Sequence, residues 1–202
     1  MLDIAVIATV FGLVFVGELP DKTAVAGIVL GTRFPWRWAF AGIAAAFLVH
    51  VVIAVAAGSV LTLLPRRPVE AVVAALFLLG AVLVWREGME DEADEEADEE
   101  ARVEGVASDA GFWRVAGLGF GVIFLAEWGD LTQILTANLA AKYHDPLSVG
   151  IGAVLALWAV GLLAILGGRT LLRFLPIVWI TRIAAAAMVV LAGYSIVEVV
   201  RG

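Results

Sequence analysis

The chain of 202 residues has no cysteine, which excludes disulfides, thiol catalysis and Cys-ligated zinc. It has no cluster of Lys and Arg suited to phosphate contacts, so nucleic-acid binding has no basis. Charged residues of all kinds make up only 16% of it. The net charge of −7 does not describe the chain as a whole. Residues Glu87 to Glu104 hold eleven acids and one Arg, a local charge of −10, so the remainder is −7 − (−10) = +3. The acidity belongs to one segment and says nothing of a partner surface elsewhere. The start, Met1-Leu2-Asp3, lacks the positive region of a cleaved signal peptide, and the first apolar stretch is expected to remain as a membrane helix.

What is present is apolar. Hydrophobic residues make up 62% of the chain, and its mean hydropathy is +1.01. A soluble domain of this size must turn far more polar surface to water. Runs of about 20 apolar residues are the mark of bilayer-spanning helices. The expectation is an all-α polytopic membrane protein with six spans. The first covers about 4–30, interrupted near Pro20. The others cover about 38–64, 69–85, 115–141, 147–166 and 183–200. Residues 171–180 read as a short interfacial segment or as the lead-in to the last span.

The two halves resemble each other. GELPDKT begins at Gly17 and AEWGDLT at Ala126, so an offset of 109 lays Glu18 on Glu127, Asp21 on Asp130 and Thr23 on Thr132. Offsets of 110 and 113 then pair Gly42 with Gly152, Gly58 with Gly168 and Gly80 with Gly193. The chain divides into a first three-helix repeat (1–86), an acidic linker (87–111) and a second three-helix repeat (112–202). Three spans per repeat is odd, so the second repeat enters the membrane in the opposite sense. That is the inverted arrangement of many secondary transporters, whose sites lie at mid-membrane between the halves.

Positive charge sets the orientation. One side carries Arg33, Arg37, Arg86, Arg102, Arg114, Arg169, Arg173 and Arg182; the other carries Arg66, Arg67, Lys142 and Arg201. The richer side is expected to be cytoplasmic, with the linker inside and both termini outside. Trp36, Trp38, Trp85, Trp113 and Trp179 fall at that same boundary as an aromatic belt.

The acids carry the functional signal. Glu18 and Asp21 are three residues apart, as are Glu127 and Asp130. On a helix that spacing points both carboxylates in one direction. Four acids at depth cost on the order of 10 kcal/mol if nothing neutralises them. Lys22 can balance one charge. A bound divalent cation or protons must offset the rest, and like charges left together by a departing cation favour proton uptake. The donors are all oxygen: four carboxylates, the hydroxyls of Thr23 and Thr132, and the amide of Gln133. With no thiolate and no nearby His in the sequence, this set suits hard ions such as Ca²⁺ and Mn²⁺. Pro20 is expected to break the first helix, freeing carbonyls as further ligands, and Gly129 allows a similar irregularity.

The doubled motif resembles the E-x-G-D-[KR]-[ST] signature of Gdt-type cation/proton exchangers. The resemblance spans nearly the whole chain. It implies a six-span transporter exporting Mn²⁺ or Ca²⁺ against protons, with no tightly bound cofactor and no enzymatic activity. Glu18, Asp21, Glu127 and Asp130 would be the ligands, with Thr23, Thr132 and Gln133 nearby. Pro20 stands where the first motif has Gly, and Leu131 where the second has Arg or Lys, which leaves this site more negative. The implied partners are divalent cations, protons and the lipid bilayer, in a prokaryotic plasma membrane; a homo-oligomer is left open.

Three other functions compete with this reading: an intramembrane aspartyl protease using Asp21 and Asp130, an exporter of small organic cations or amino acids, and a non-transporting assembly factor. The protease leaves two glutamates unexplained, and the organic-cation pocket would be aromatic rather than four-fold acidic. The linker reads as a solvated tether in preference to a cation collector. Gly117 and Gly121 fit a small-xxx-small helix contact. His50 reads as a hydrogen-bonded structural residue in preference to a proton relay, His144 as exposed, and Asp145-Pro146 as a turn.

Overall fold

The computed structural model describes residues 2–18, 22–61, 111–128 and 130–174, with isolated positions at 75, 78, 79, 82, 186, 189, 190, 192, 193, 196 and 197. The described residues form helices and no strands: α1 (Ile4–Glu18), α2 (Lys22–Arg33), α3 (Trp36–Leu61), α4 (Phe112–Ala126), α5 (Leu131–Tyr143) and α6 (Pro146–Phe174). The spans expected over 69–85 and 183–200 and the acidic linker lie outside, or almost wholly outside, the described residues, as do Trp85 and Trp179.

Two described helices are long and apolar enough to cross a membrane, residues 36–60 and 146–167, of 25 and 22 residues with mean hydropathy 2.5 each. At 1.5 Å per residue they reach about 37 and 33 Å, against a hydrocarbon core of roughly 30 Å. The remaining apolar length is divided. The first stretch has one helix to Glu18 and another from Lys22; Pro20, where the break is expected, lies outside the described residues. The fourth, expected as one span over 115–141, is also broken, into α4 and α5. The fifth is longer than expected: α6 continues to Phe174, so 171–174 extend that helix.

The halves match element by element. Adding 109 to α1 and α2 gives 113–127 and 131–142, close to α4 and α5; adding 110 to α3 gives 146–171, close to α6. Packing follows the same exchange. The broken pair α4/α5 lies on α3, the broken pair α1/α2 lies on α6, and α3 and α6 meet each other. Each half thus buries its broken helix against the long helix of the other. A Cβ at Gly42 of α3 would run into the carbonyl oxygen of Ala116, and one at Gly152 of α6 would come within 2.7 Å of that of Ile7. The residues met, 7 and 116, are themselves 109 apart. Only glycine lets the backbones approach so closely at these paired crossings.

Among the described residues, a Cβ at Gly117 or Gly121 would meet nothing within 4 Å. Gly119 faces α3 instead, with the Ala39 carbonyl oxygen 3.0 Å from its would-be Cβ.

Chain direction is fixed by contacts at the ends. Trp38, starting α3, stacks edge-on against Phe112, starting α4, with centroids 6.2 Å apart. At the opposite end, the Asp3 amide before α1 donates to Ser148 Oγ in the first turn of α6 at 2.8 Å. α1 and α4 therefore begin at opposite ends of the bundle. Trp36 and Trp113 share the α3/α4 end and are exposed. Asp145 and Pro146 do more than turn the chain: Asp145 Oδ1 accepts the Ser148 amide at 3.1 Å, and Pro146 occupies the first helical position. His144 is exposed and takes the left-handed conformation that ends α5 (φ 54°).

Candidate metal centre

The acids sit where helices stop. Glu18 is the last residue of α1, Glu127 caps the C-terminus of α4, and Asp130 caps the N-terminus of α5. Glu127 and Asp130 are therefore not on one helical face, as the three-residue spacing suggested. They are joined by a tight turn in which the Asp130 amide donates to the Glu127 carbonyl at 3.2 Å. The Asp130 side chain caps the helix that follows. Its Oδ2 accepts the Thr132 amide at 2.9 Å and the Thr132 hydroxyl at 3.1 Å. An aspartate competes with backbone in this way and favours helix starts over interiors.

The break has an electrostatic consequence. A helix C-terminus carries a partial negative charge from its unpaired carbonyls. Glu18 and Glu127 thus stand at the ends least favourable for carboxylates, and both are buried, at 0% and 4% exposure. The N-terminus of α5 favours the Asp130 carboxylate. Aimed at one place, two helix C-termini and several carboxylates make a field that only positive charge relieves.

Three of the predicted ligands converge. Glu18, Glu127 and Asp130 each offer a carboxylate oxygen, and all lie within 4.8 Å of one another. The contact crosses the two halves: a Cβ at Gly17 would lie 3.7 Å from the Thr132 methyl. Asp21 lies outside the described residues, and the side chains of Thr23 and Lys22 are likewise not described. Thr132 is buried with its hydroxyl on Asp130. Gln133 is beside the cluster, its amide nitrogen 2.9 Å from His50 Nδ1.

Sequence reasoning missed two participants. A pocket next to the cluster is lined by Glu127, Thr132, Gln133 and Thr136 together with His50 and apolar residues of α3 and α6. Thr136 follows Thr132 by one helical turn and donates to its carbonyl at 2.7 Å; helical spacing from Thr132 would have found it. His50 is far from both motifs in sequence. It is a hydrogen-bonded buried residue, as expected, but its partners belong to the site: Nε2 is 3.2 Å from the Phe124 carbonyl in the last turn of α4.

The sequence profile described as divalent cation/proton antiporter GDT1 matches residues 6–92 and 115–202, two stretches flanking part of the acidic linker. A GDT1-like protein of Synechocystis is 33% identical over 168 residues, which cover 78% of this chain and 80% of that protein. The chloroplastic protein PAM71 of Arabidopsis thaliana is 30% identical over 211 residues, 96% of this chain but 57% of that protein. A GDT1-like protein 5 of rice is 28% identical over 183 residues, covering 76% of this chain and 78% of its own length. No solved structure matches the chain.

Proposed function

This chain belongs to the GDT1 family of divalent cation/proton antiporters, and from that premise we propose that it exports Mn²⁺ or Ca²⁺ in exchange for protons through one site shared by its two halves. The family is one of membrane-integral transporters, so the chain is a transporter and not an enzyme, and the protease alternative is set aside. In the proposed site Glu18, Asp21, Glu127 and Asp130 are the anionic ligands. Thr23, Thr132 and Gln133 add neutral oxygens, and Lys22 balances one charge. The cation and the protons are substrates, and no resident cofactor is needed.

The observation that carries this reading is the meeting of Glu18 with Glu127 and Asp130 within 4.8 Å, at broken helix ends drawn from both halves. An all-oxygen set of this charge suits a hard divalent ion. Exchange follows from sharing: the same oxygens hold either the metal or protons, so each substrate displaces the other. Broken helices aimed at a midplane site are how secondary transporters combine exposed backbone with an apolar surround.

The proposed frame is six spans in two inverted three-helix repeats, 1–86 and 112–202, with the linker 87–111 cytoplasmic and both termini outside a prokaryotic plasma membrane. Rocking of the halves about the shared acids would expose them to one side and then the other. The matched packing of α1/α2 on α6 and α4/α5 on α3 supports this. The test is flux into proteoliposomes under an imposed pH gradient, comparing Mn²⁺ with Ca²⁺. Gradient-driven uptake should appear in the unaltered protein and vanish in Glu18→Gln and in Glu127→Gln. Undiminished transport by both variants overturns the assignment.

A further inference from the structure

The acids are duplicated, but their surroundings are not. The offset of 110 that carries α3 onto α6 takes His50 to Val160, and the offset of 109 that carries α5 onto α2 takes Gln133 to Ala24 and Thr136 to Gly27. At the positions equivalent to His50, Gln133 and Thr136 the sequence has Val160, Ala24 and Gly27, so the polar trio has no counterpart in the repeat. The fold does not require an imidazole in that place, because Val160 is buried at 2% exposure and His50 at 4% in equivalent positions of their helices.

Both ring nitrogens of His50 are committed. The Phe124 carbonyl 3.2 Å from Nε2 can only accept, so Nε2 carries the hydrogen. Phe124 lies in the last turn of α4, where the helix break leaves carbonyls without their usual amide. In the neutral ring Nδ1 must then accept, and the group facing it at 2.9 Å is the Gln133 amide NH₂. Phe124 and Trp128, at centroid distances of 5.0 and 6.0 Å, hold the ring in this plane. Gln133 is thereby held with its nitrogen toward His50.

We propose that His50 is a positioning residue of the cation site: by taking the Gln133 NH₂ it presents the Gln133 oxygen, a metal ligand, to the acid cluster and keeps an N–H donor, which would repel a cation, away from it. The inference rests on the proposed site of Glu18, Glu127 and Asp130. Partners that orient ligands in this way are worth roughly ten- to a hundredfold in metal affinity.

The test is a double-mutant cycle on Mn²⁺ transport by the full chain in proteoliposomes, using His50→Val, Gln133→Ala and both together. Each single variant should raise KM roughly tenfold or more while kcat stays near that of the unaltered protein. The double variant should be no worse than Gln133→Ala, because His50 acts only through Gln133. His50→Asn, which restores an acceptor near the position of Nδ1, should recover most of the loss. His50→Phe keeps the ring contacts with Phe124 and Trp128 and carries the cycle if the valine variant does not fold. An unchanged KM in the His50 variant, or a double variant whose loss is the product of the singles, overturns the proposal. Glu18→Gln run in parallel keeps the two questions apart. Normal transport there removes the site itself, whereas loss there with a normal KM in the His50 variant removes only the positioning role.

Discussion

Neutralising Glu18 should change the stability of the protein in opposite directions with and without metal. Its carboxylate lies within 4.8 Å of those of Glu127 and Asp130. Two unit charges at 4.8 Å repel by about 332/(20 × 4.8), or about 3.5 kcal/mol, at the effective dielectric suited to such sites. Glu18→Gln removes two such repulsions, up to about 7 kcal/mol if all three acids are ionised. Proton uptake reduces this gain, but the sign survives. The metal-free variant should melt higher than the unaltered protein, by several degrees if even about 1 kcal/mol remains. On the proposed reading the same change also removes a carboxylate that would hold the ion. A residual loss of about 1.4 kcal/mol there is a tenfold loss of affinity, so the Mn²⁺-induced rise in Tm should shrink or vanish. The assay is thermal unfolding in detergent at pH 7.5 across a Mn²⁺ titration. If Glu18 merely fastened helices together, Glu18→Gln would melt lower in the absence of metal. A lower metal-free Tm, or an undiminished Mn²⁺ shift, refutes the reasoning.

Two further outcomes follow from the helix ends and crossings. Asp130→Asn keeps a side-chain oxygen for the Thr132 amide, whereas Asp130→Ala loses the cap. Both should abolish gradient-driven Mn²⁺ flux, but only the alanine variant should lose about 0.5–2 kcal/mol of stability in denaturant titration. Gly42→Ala and Gly152→Ala drive a methyl group into backbone of the facing helix. Each should destabilise by about 1–3 kcal/mol, while Gly117→Ala and Gly121→Ala, with nothing among the described residues within 4 Å of the added carbon, should be neutral or slightly stabilising in the same melts.

Composition and spacing determined a good deal. Apolar runs with few charges have one stable setting, a bilayer crossed by helices. An acidic motif repeated at an offset of 109 can only be a duplication, and the matched helix pairs follow that offset. Pro20 marked one helix break, because a proline removes an amide and clashes with the preceding turn. Such features are legible because they depend on local chemistry or on the solvent.

What the tertiary structure decided depends on which surfaces meet. The EWGD segment could have continued a helix; it breaks because Asp130 finds its amides in the Thr132 turn. That converts a presumed helical face into two helix ends aimed at one point. Gly119 takes the close contact with α3, a position that the spacing of Gly117 and Gly121 does not single out. His50 is 83 residues from Gln133, and no pattern along the chain links an imidazole in one apolar helix to an amide in another. Their pairing exists only because each half lays its broken helix on the long helix of the other, which brings the loose carbonyl of Phe124 and the amide of Gln133 to opposite sides of one ring.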